Sequence, residues 1–171
     1  WTNLVQMEAP LLSGLLAEKI IALFGHGVRD TVYFTNSGTE ANESAIKFVR
    51  AATGRNKLLH LDHSFHGLST GSLAINGNTE FRDGFGSLLH SDAIPLNDLN
   101  ALEDKLKTRD SAAFFFEPIQ GKGVYVPQEN FLKDAMALCK KYGTLTVADE
   151  IQSGLGSTGK LLSCDHIGIE H

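Results

Sequence analysis

The sequence predicts an α/β domain built on a mainly parallel sheet, with helices packed on both faces. Three observations predict it. Short apolar runs at residues 57–61 (KLLHL), 112–116 (AAFFF) and 144–148 (TLTVA) have the length and composition of strands buried on both faces. Each run stops at polar or glycine-bearing turn residues, and helical patterns fill the connections, as parallel strands require. The chain has 171 residues, 42% hydrophobic and 20% charged, which is enough for one domain with a sizeable core.

Taken in order, residues 8–24 place Leu12, Leu16, Ile20 and Leu23 at helical spacing, with Gly25 and Gly27 positioned to end the helix. A leucine stripe of this kind reads as core or as a face for a partner subunit. Residues 31–35 (TVYFT) read as a strand, broken by Asn36, Ser37 and Gly38 before a second helix. There Ala41, Ala45, Phe48, Val49 and Ala52 form the apolar face, and Glu43, Lys47 and Arg50 face water. Ser37 and Glu40 have capping-box spacing.

After the strand at 57–61 comes Asp62-His63-Ser64-Phe65-His66-Gly67. Residues 69–94, rich in Gly, Ser, Thr and Asn, read mostly as loop. Residues 98–106 form a short helix with Leu99, Leu102 and Leu106 on one side, and the strand at 112–116 stops at Glu117-Pro118. Beyond Pro127, Leu132, Ala135, Met136 and Cys139 give the core face of a helix that runs to Gly143. The last strand ends at Asp149-Glu150, followed by Gly154, Gly156 and Gly159. The chain opens on Trp1 and closes at His171, just after the apolar Ile167 and Ile169, so it is expected to be part of a longer polypeptide.

The net charge of -5 gives no electrostatic footprint for nucleic acid. No apolar run approaches the roughly 20 residues that span a bilayer, and the N-terminus does not resemble a signal peptide. Cys139 and Cys164 form no CxxC pair, which argues for reduced thiols in the cytoplasm over a disulfide framework or zinc. His63 and His66 are three apart, the wrong spacing for two zinc ligands on one helical face. No metal is expected.

Ligands of open α/β sheets bind beyond the carboxyl ends of the strands. Asp149 and Glu150 stand there, and strand alternation points them to opposite sides, so one carboxylate can meet a ligand with a basic ring nitrogen. The same residues also fit a solvated strand end with a capping Asp. Strand, small-residue turn and helix start at residues 31–41 suit a phosphate, although ordinary capping explains them too. Phe65, beside two histidines, could stack on a flat ring or be core. Residues 154–159 (GLGSTG) fit the dinucleotide pattern G-x-G-x-x-G, but the pattern neither follows its strand directly nor opens a helix.

Four segments, NSGTEANESAIKF at 36–48, SFHG at 64–67, EPIQGKG at 117–123 and DEIQSGLGSTGKL at 149–161, occur together in order and spacing. In this the chain resembles the class III (ornithine, acetylornithine and 4-aminobutyrate) aminotransferases, of the fold type I pyridoxal phosphate enzymes. The resemblance runs over essentially the whole chain. It implies a partial large, cofactor-binding domain, the cofactor pyridoxal 5'-phosphate, small-molecule amino donor and carbonyl acceptor, and a homodimer. It implies that Ser37, Gly38 and Thr39 hold the cofactor phosphate, that Phe65 and Ile151 cover the two ring faces, that Asp149 pairs with the ring nitrogen and that Gln152 reaches the ring hydroxyl. Glu117 would lie on the substrate side, His66 behind the first layer of contacts, and Glu150 would be structural.

The resemblance also implies that the Schiff-base lysine and the small-domain segments lie outside residues 1–171, so this polypeptide alone is expected to be inactive as a transaminase. Lys160 is not that lysine. Departures fall in loops: Lys122 and Val124 replace an acidic and a glycine position, Leu68 and Ser69 follow SFHG, and Ser157 replaces an arginine. They bear on substrate identity, leaving open polyamines, ω-amino acids, ketones and aldehydes. Two other readings are a non-catalytic homologue and, through GLGSTG, a nicotinamide-dependent oxidoreductase.

Overall fold

The computed structural model describes residues 10–24 and 31–169, which fall into two units, one containing residues 10–24 and 31–35 and the other residues 36–169. In the first, helix α1 (Leu11–Phe24) forms, but its stripe is not core: Leu12 is 55% exposed and Leu23 65%. The proposed glycine stop at Gly25 and Gly27 lies outside the described residues. Residues 31–35 are not a strand. Strand propensity measures fit to a pleated, half-buried surface, and here Tyr33 and Phe34 stay largely exposed.

The second unit is organised by four parallel strands, β1 (Lys57–Leu61), β2 (Ser91–Ile94), β3 (Ser111–Phe116) and β4 (Leu145–Ala148), in the order β2-β1-β3-β4. Strand β2 falls inside the stretch expected to be loop. Its sequence SDAI buries only Ile94, and it is selected by the open edge of β1, along which Leu58 to Leu61 pair with Ser91 to Ile94.

Helices α2 (Gly38–Thr53) and α3 (Thr70–Ala74) precede β1 and β2, α4 (Leu99–Leu106) precedes β3, and α5 (Phe131–Tyr142) precedes β4. Alternation along the central strands divides the core in two. Leu59, Leu61, Phe114 and Phe116 pack with Leu102 and Leu106 of α4 and Phe131, Leu132, Ala135 and Cys139 of α5. Leu58, Ala113 and Phe115 face the other way, against Ile46 and Val49 of α2. The sheet therefore carries helices on both faces.

Local chemistry sets the helix ends. Asp98 caps α4 by accepting the Ala101 amide at 2.9 Å, and Gly143 closes α5 at φ 70, where a side chain would be strained. Ser37 caps α2 by accepting the Glu40 amide at 3.2 Å, and Glu40 reaches back to the Asn36 amide at 2.7 Å, one residue earlier than an ideal capping box. The buried face of α2 is Asn42, Ile46 and Val49, rotated from the face expected, and Phe48 is 54% exposed. Glu43 is not simply wet. It accepts the Gly71 and Ser72 amides at 2.8 and 3.0 Å and caps α3 from a neighbouring helix.

Truncating Phe114, fully buried between β1 and β4, should destabilise the protein by about 3–5 kcal/mol, whereas Phe85→Ala, at an exposed turn, should stay within about 0.5 kcal/mol. Urea unfolding midpoints of the two variants check this contrast.

Candidate active site

Because all four strands run parallel, their carboxyl ends lie along one edge. Asp62 to His66 follow β1, Glu117 follows β3 and Asp149 follows β4. The Asp149 amide still donates to the Phe116 carbonyl at 2.8 Å, so the sheet ladder itself places this carboxylate.

Asp149 is 7% exposed. Its Oδ2 lies 2.8 Å from His66 Nδ1 and accepts the Asn42 side-chain amide at 2.8 Å, while Oδ1 accepts the Ile151 amide at 3.1 Å. Burial pushes its pKa up, but the His66 hydrogen bond and charge, with Asn42 and the Ile151 amide, outweigh burial and hold the carboxyl below its ordinary value. Since Oδ2 accepts, the His66 Nδ1 carries the shared proton. His66 is buried, not a surface residue, and its Nε2 has no partner among the described residues.

Phe65 follows the same turn. Its amide donates to Glu117 Oε1 at 2.9 Å, and Glu117 Oε2 accepts the Gly121 amide at 2.9 Å. Burial raises the Glu117 pKa, opposed in part by these two amides. The Phe65 ring is 38% exposed and meets Phe81 edge-on at 5.5 Å between centroids.

Glycines bring the remaining residues together. A Cβ on Gly38 would lie 2.9 Å from Ile151 Cδ1, so only glycine lets Ile151 rest on the start of α2. A Cβ on Gly67 would collide with Thr39, and one on Gly121 with the Gln152 side-chain amide. The structure thus joins Gly38 with Ile151, Thr39 with Gly67, Gln152 with Gly121, Gly121 with Glu117, and Asp149 with His66. Ser37 enters as the helix cap. Glu150 points elsewhere, accepting the Ser163 and Cys164 amides at 2.8 and 2.7 Å.

Three polar residues in this network escape sequence reasoning. Asn42 joins α2 to Asp149 and donates to the His66 carbonyl at 2.8 Å, Asn76 accepts the His66 amide at 2.6 Å and donates to the Gly67 carbonyl at 2.8 Å, and Glu43 supports α3. An asparagine at a buried helix position is the available signal, visible only once the α2 face is known. Val124 also stands out. It occupies φ 53, where a β-branched residue is strained, at the position where the resembled family has glycine.

The GLGSTG stretch is a succession of turns in which Gly154 donates to the Glu150 carbonyl at 2.7 Å, and the next element is the 3-10 turn Ser163–Ile167. It is not a helix-opening dinucleotide loop. Among the described residues no group of three His, Cys, Asp or Glu could hold a metal ion, and no helix is long and apolar enough to cross a membrane.

The four-stranded parallel sheet with helices on both faces has the fold of the fold type I pyridoxal phosphate-dependent aminotransferases. Residues 4–171 match the family described as aminotransferase class-III, and the chain belongs to that family. It is 40% identical to the aminotransferase PigE of Serratia sp., covering 98% of this chain and 20% of that protein. It is 39% identical to acetylornithine aminotransferase of Bacillus cereus, covering 94% of this chain and 42% of the relative. The ornithine aminotransferase of Toxoplasma gondii, solved with pyridoxal phosphate at partial occupancy in its active site, superposes with a TM-score of 0.90 at 32% identity over 98% of this chain and 41% of that one. The chain therefore spans about two-fifths of the length of the acetylornithine and ornithine enzymes it matches.

The family's cofactor is pyridoxal 5'-phosphate, and the residues here fit it. Phe65 and Ile151 leave apolar surface exposed beside a buried carboxylate, and among the described residues one hydrogen bond reaches Asp149 Oδ1. In the first turn of α2 the Glu40 amide is capped by Ser37, the Gly38 and Thr39 amides precede the first intrahelical bond, and Gly38 puts no side chain in front of them.

The Asp149 pKa is lower folded than unfolded. Its stabilisation is complete above the unfolded value, about 3.9, and is lost as pH falls through the folded value. Asp149→Asn in the full-length protein should lower the urea midpoint at pH 7 and remove this acid arm from the midpoint-against-pH curve. Val124→Gly, which relieves the positive φ, should raise stability by about 0.5–1 kcal/mol in the same assay.

Proposed function

We propose that residues 36–169 form the cofactor floor of a pyridoxal phosphate-dependent aminotransferase. The enzyme moves an amino group from a small amine or amino-acid donor to a keto or aldehyde acceptor in two half-reactions. The observation that carries this reading is the buried Asp149 carboxylate, held ionised by His66 and Asn42 and hydrogen-bonded to the segments that carry Phe65 and Ile151.

In this reading the first turn of α2, with Ser37, Gly38 and Thr39, holds the phosphate, where free amides and the helix dipole favour an anion. Phe65 stacks on one ring face and Ile151 covers the other. Asp149 keeps its negative charge against the ring nitrogen and holds a proton there, and His66 acts through Asp149. Gln152 donates to the ring hydroxyl. Glu117, anchored by the Phe65 and Gly121 amides, forms the wall on the substrate side. When bound, the cofactor supplies an electron-poor ring that takes up the electron pair left as the substrate's α-proton departs. The lysine that carries that proton is, in this reading, supplied from beyond these residues. Assembly as a homodimer rests on the family resemblance, and a cytoplasmic location on the thiols Cys139 and Cys164.

Full-length protein loaded with pyridoxal phosphate should change its visible absorption when an amino donor is added and recover when a 2-oxo acid follows. Asp149→Ala should lower turnover about a hundredfold or more. A protein that binds the cofactor yet gives no amino transfer with any amine or amino acid would sink the catalytic reading in favour of a non-catalytic homologue.

A further inference from the structure

Asn42 is a poor choice for its position by every local criterion. It lies in the second turn of α2, 3% exposed, on the face that otherwise presents Ile46 and Val49 to the sheet. A buried side-chain amide loses its water, and asparagine is among the weaker helix formers, so alanine would serve packing better. What offsets the cost is the use of both side-chain N–H groups. One donates to the His66 carbonyl at 2.8 Å and the other to Asp149 Oδ2 at 2.8 Å.

The second of these bonds divides the carboxylate. Oδ2 receives Asn42 and His66 Nδ1 together, which accounts for both of its in-plane lone pairs. Among the described residues Oδ1 receives only the Ile151 amide, at 3.1 Å, and has acceptor capacity left. Donors on three segments thus fix the rotation of the carboxylate and decide which oxygen is available. The first bond ties the turn that carries Phe65 and His66 to the same helix.

We propose that Asn42 is a positioning residue for the cofactor: with His66 it occupies Asp149 Oδ2, so that Oδ1 is the oxygen that receives the N–H of the pyridine ring. The inference rests on the role given to Asp149 above. It predicts a thermodynamic signature that packing alone would not produce, because the effect of Asn42 must pass through the ring nitrogen.

The test compares binding of pyridoxal phosphate with that of its 1-deaza analogue, which has carbon in place of the ring nitrogen, to full-length cofactor-free protein. Affinities are read from quenching of the protein's fluorescence. Wild type should prefer pyridoxal phosphate. Asn42→Leu, close in shape but without donors, should bind pyridoxal phosphate about tenfold more weakly and the deaza analogue within about twofold of wild type, so that the preference collapses. If Asn42→Leu does not fold, Asn42→Ala is read in the same way, since alanine suits the helix and leaves only a small cavity. Equal losses for the two ligands would reduce Asn42 to a packing residue and overturn the proposal, as would an unchanged preference. A wild type that does not discriminate between the ligands would instead overturn the role of Asp149, and the proposal with it.

Discussion

A carboxylate leaves water only when other polar groups replace its hydration, and Asp149 meets that condition through hydrogen bonds with His66, Asn42 and the Ile151 amide. Much of the unit depends on this one group. His66 can reach it because Asn76 and Asn42 hold the backbone of the turn after β1. Asn42 can reach it because α2 packs Ile46 and Val49 on the sheet face that also carries Phe115. The carboxylate in turn ties the end of β4 to that helix.

The same economy governs the rim of the site. A Cβ on Gly67, at φ 129, would strike the Thr39 backbone, so this glycine sets how closely the turn after β1 approaches α2, while Gly38 and Gly121 lie against the side chains of Ile151 and Gln152. Glu117 links the segments of Phe65 and Gly121 through their amides. Lys122 is one of the departures from the family pattern. It pairs with Glu80 and sits 4.3 Å from the centre of the Phe81 ring, which meets Phe65 edge-on, so the altered position borders the aromatic wall and not Asp149.

The strands expected at 57–61, 112–116 and 144–148, the helix at 98–106, the α5 stop at Gly143 and the Ser37 cap were legible in the sequence because each is a local matter of apolar runs, capping side chains and left-handed glycines. The four motifs were legible as well, and with them the family. They carried Glu117 and Asp149 as carboxylates at strand ends and Glu150 as a structural residue.

Tertiary structure alone decided the rest. Residues 31–35 have strand composition but form no strand and leave Tyr33 and Phe34 largely exposed, while the weak sequence SDAI became β2 because β1 offered it an open edge. The face of α2 turned to present Asn42, and His66 became a buried partner of Asp149 although 83 residues separate them. Asn42 and Asp149 are 107 residues apart. Composition and periodicity describe what a segment can bury, but which polar atoms meet inside is set by how two elements dock. By itself the sequence determined the parallel α/β plan and the family; the docking of α2 and the β1 turn onto the end of β4 decided which oxygen of Asp149 is held and which is left for a ligand.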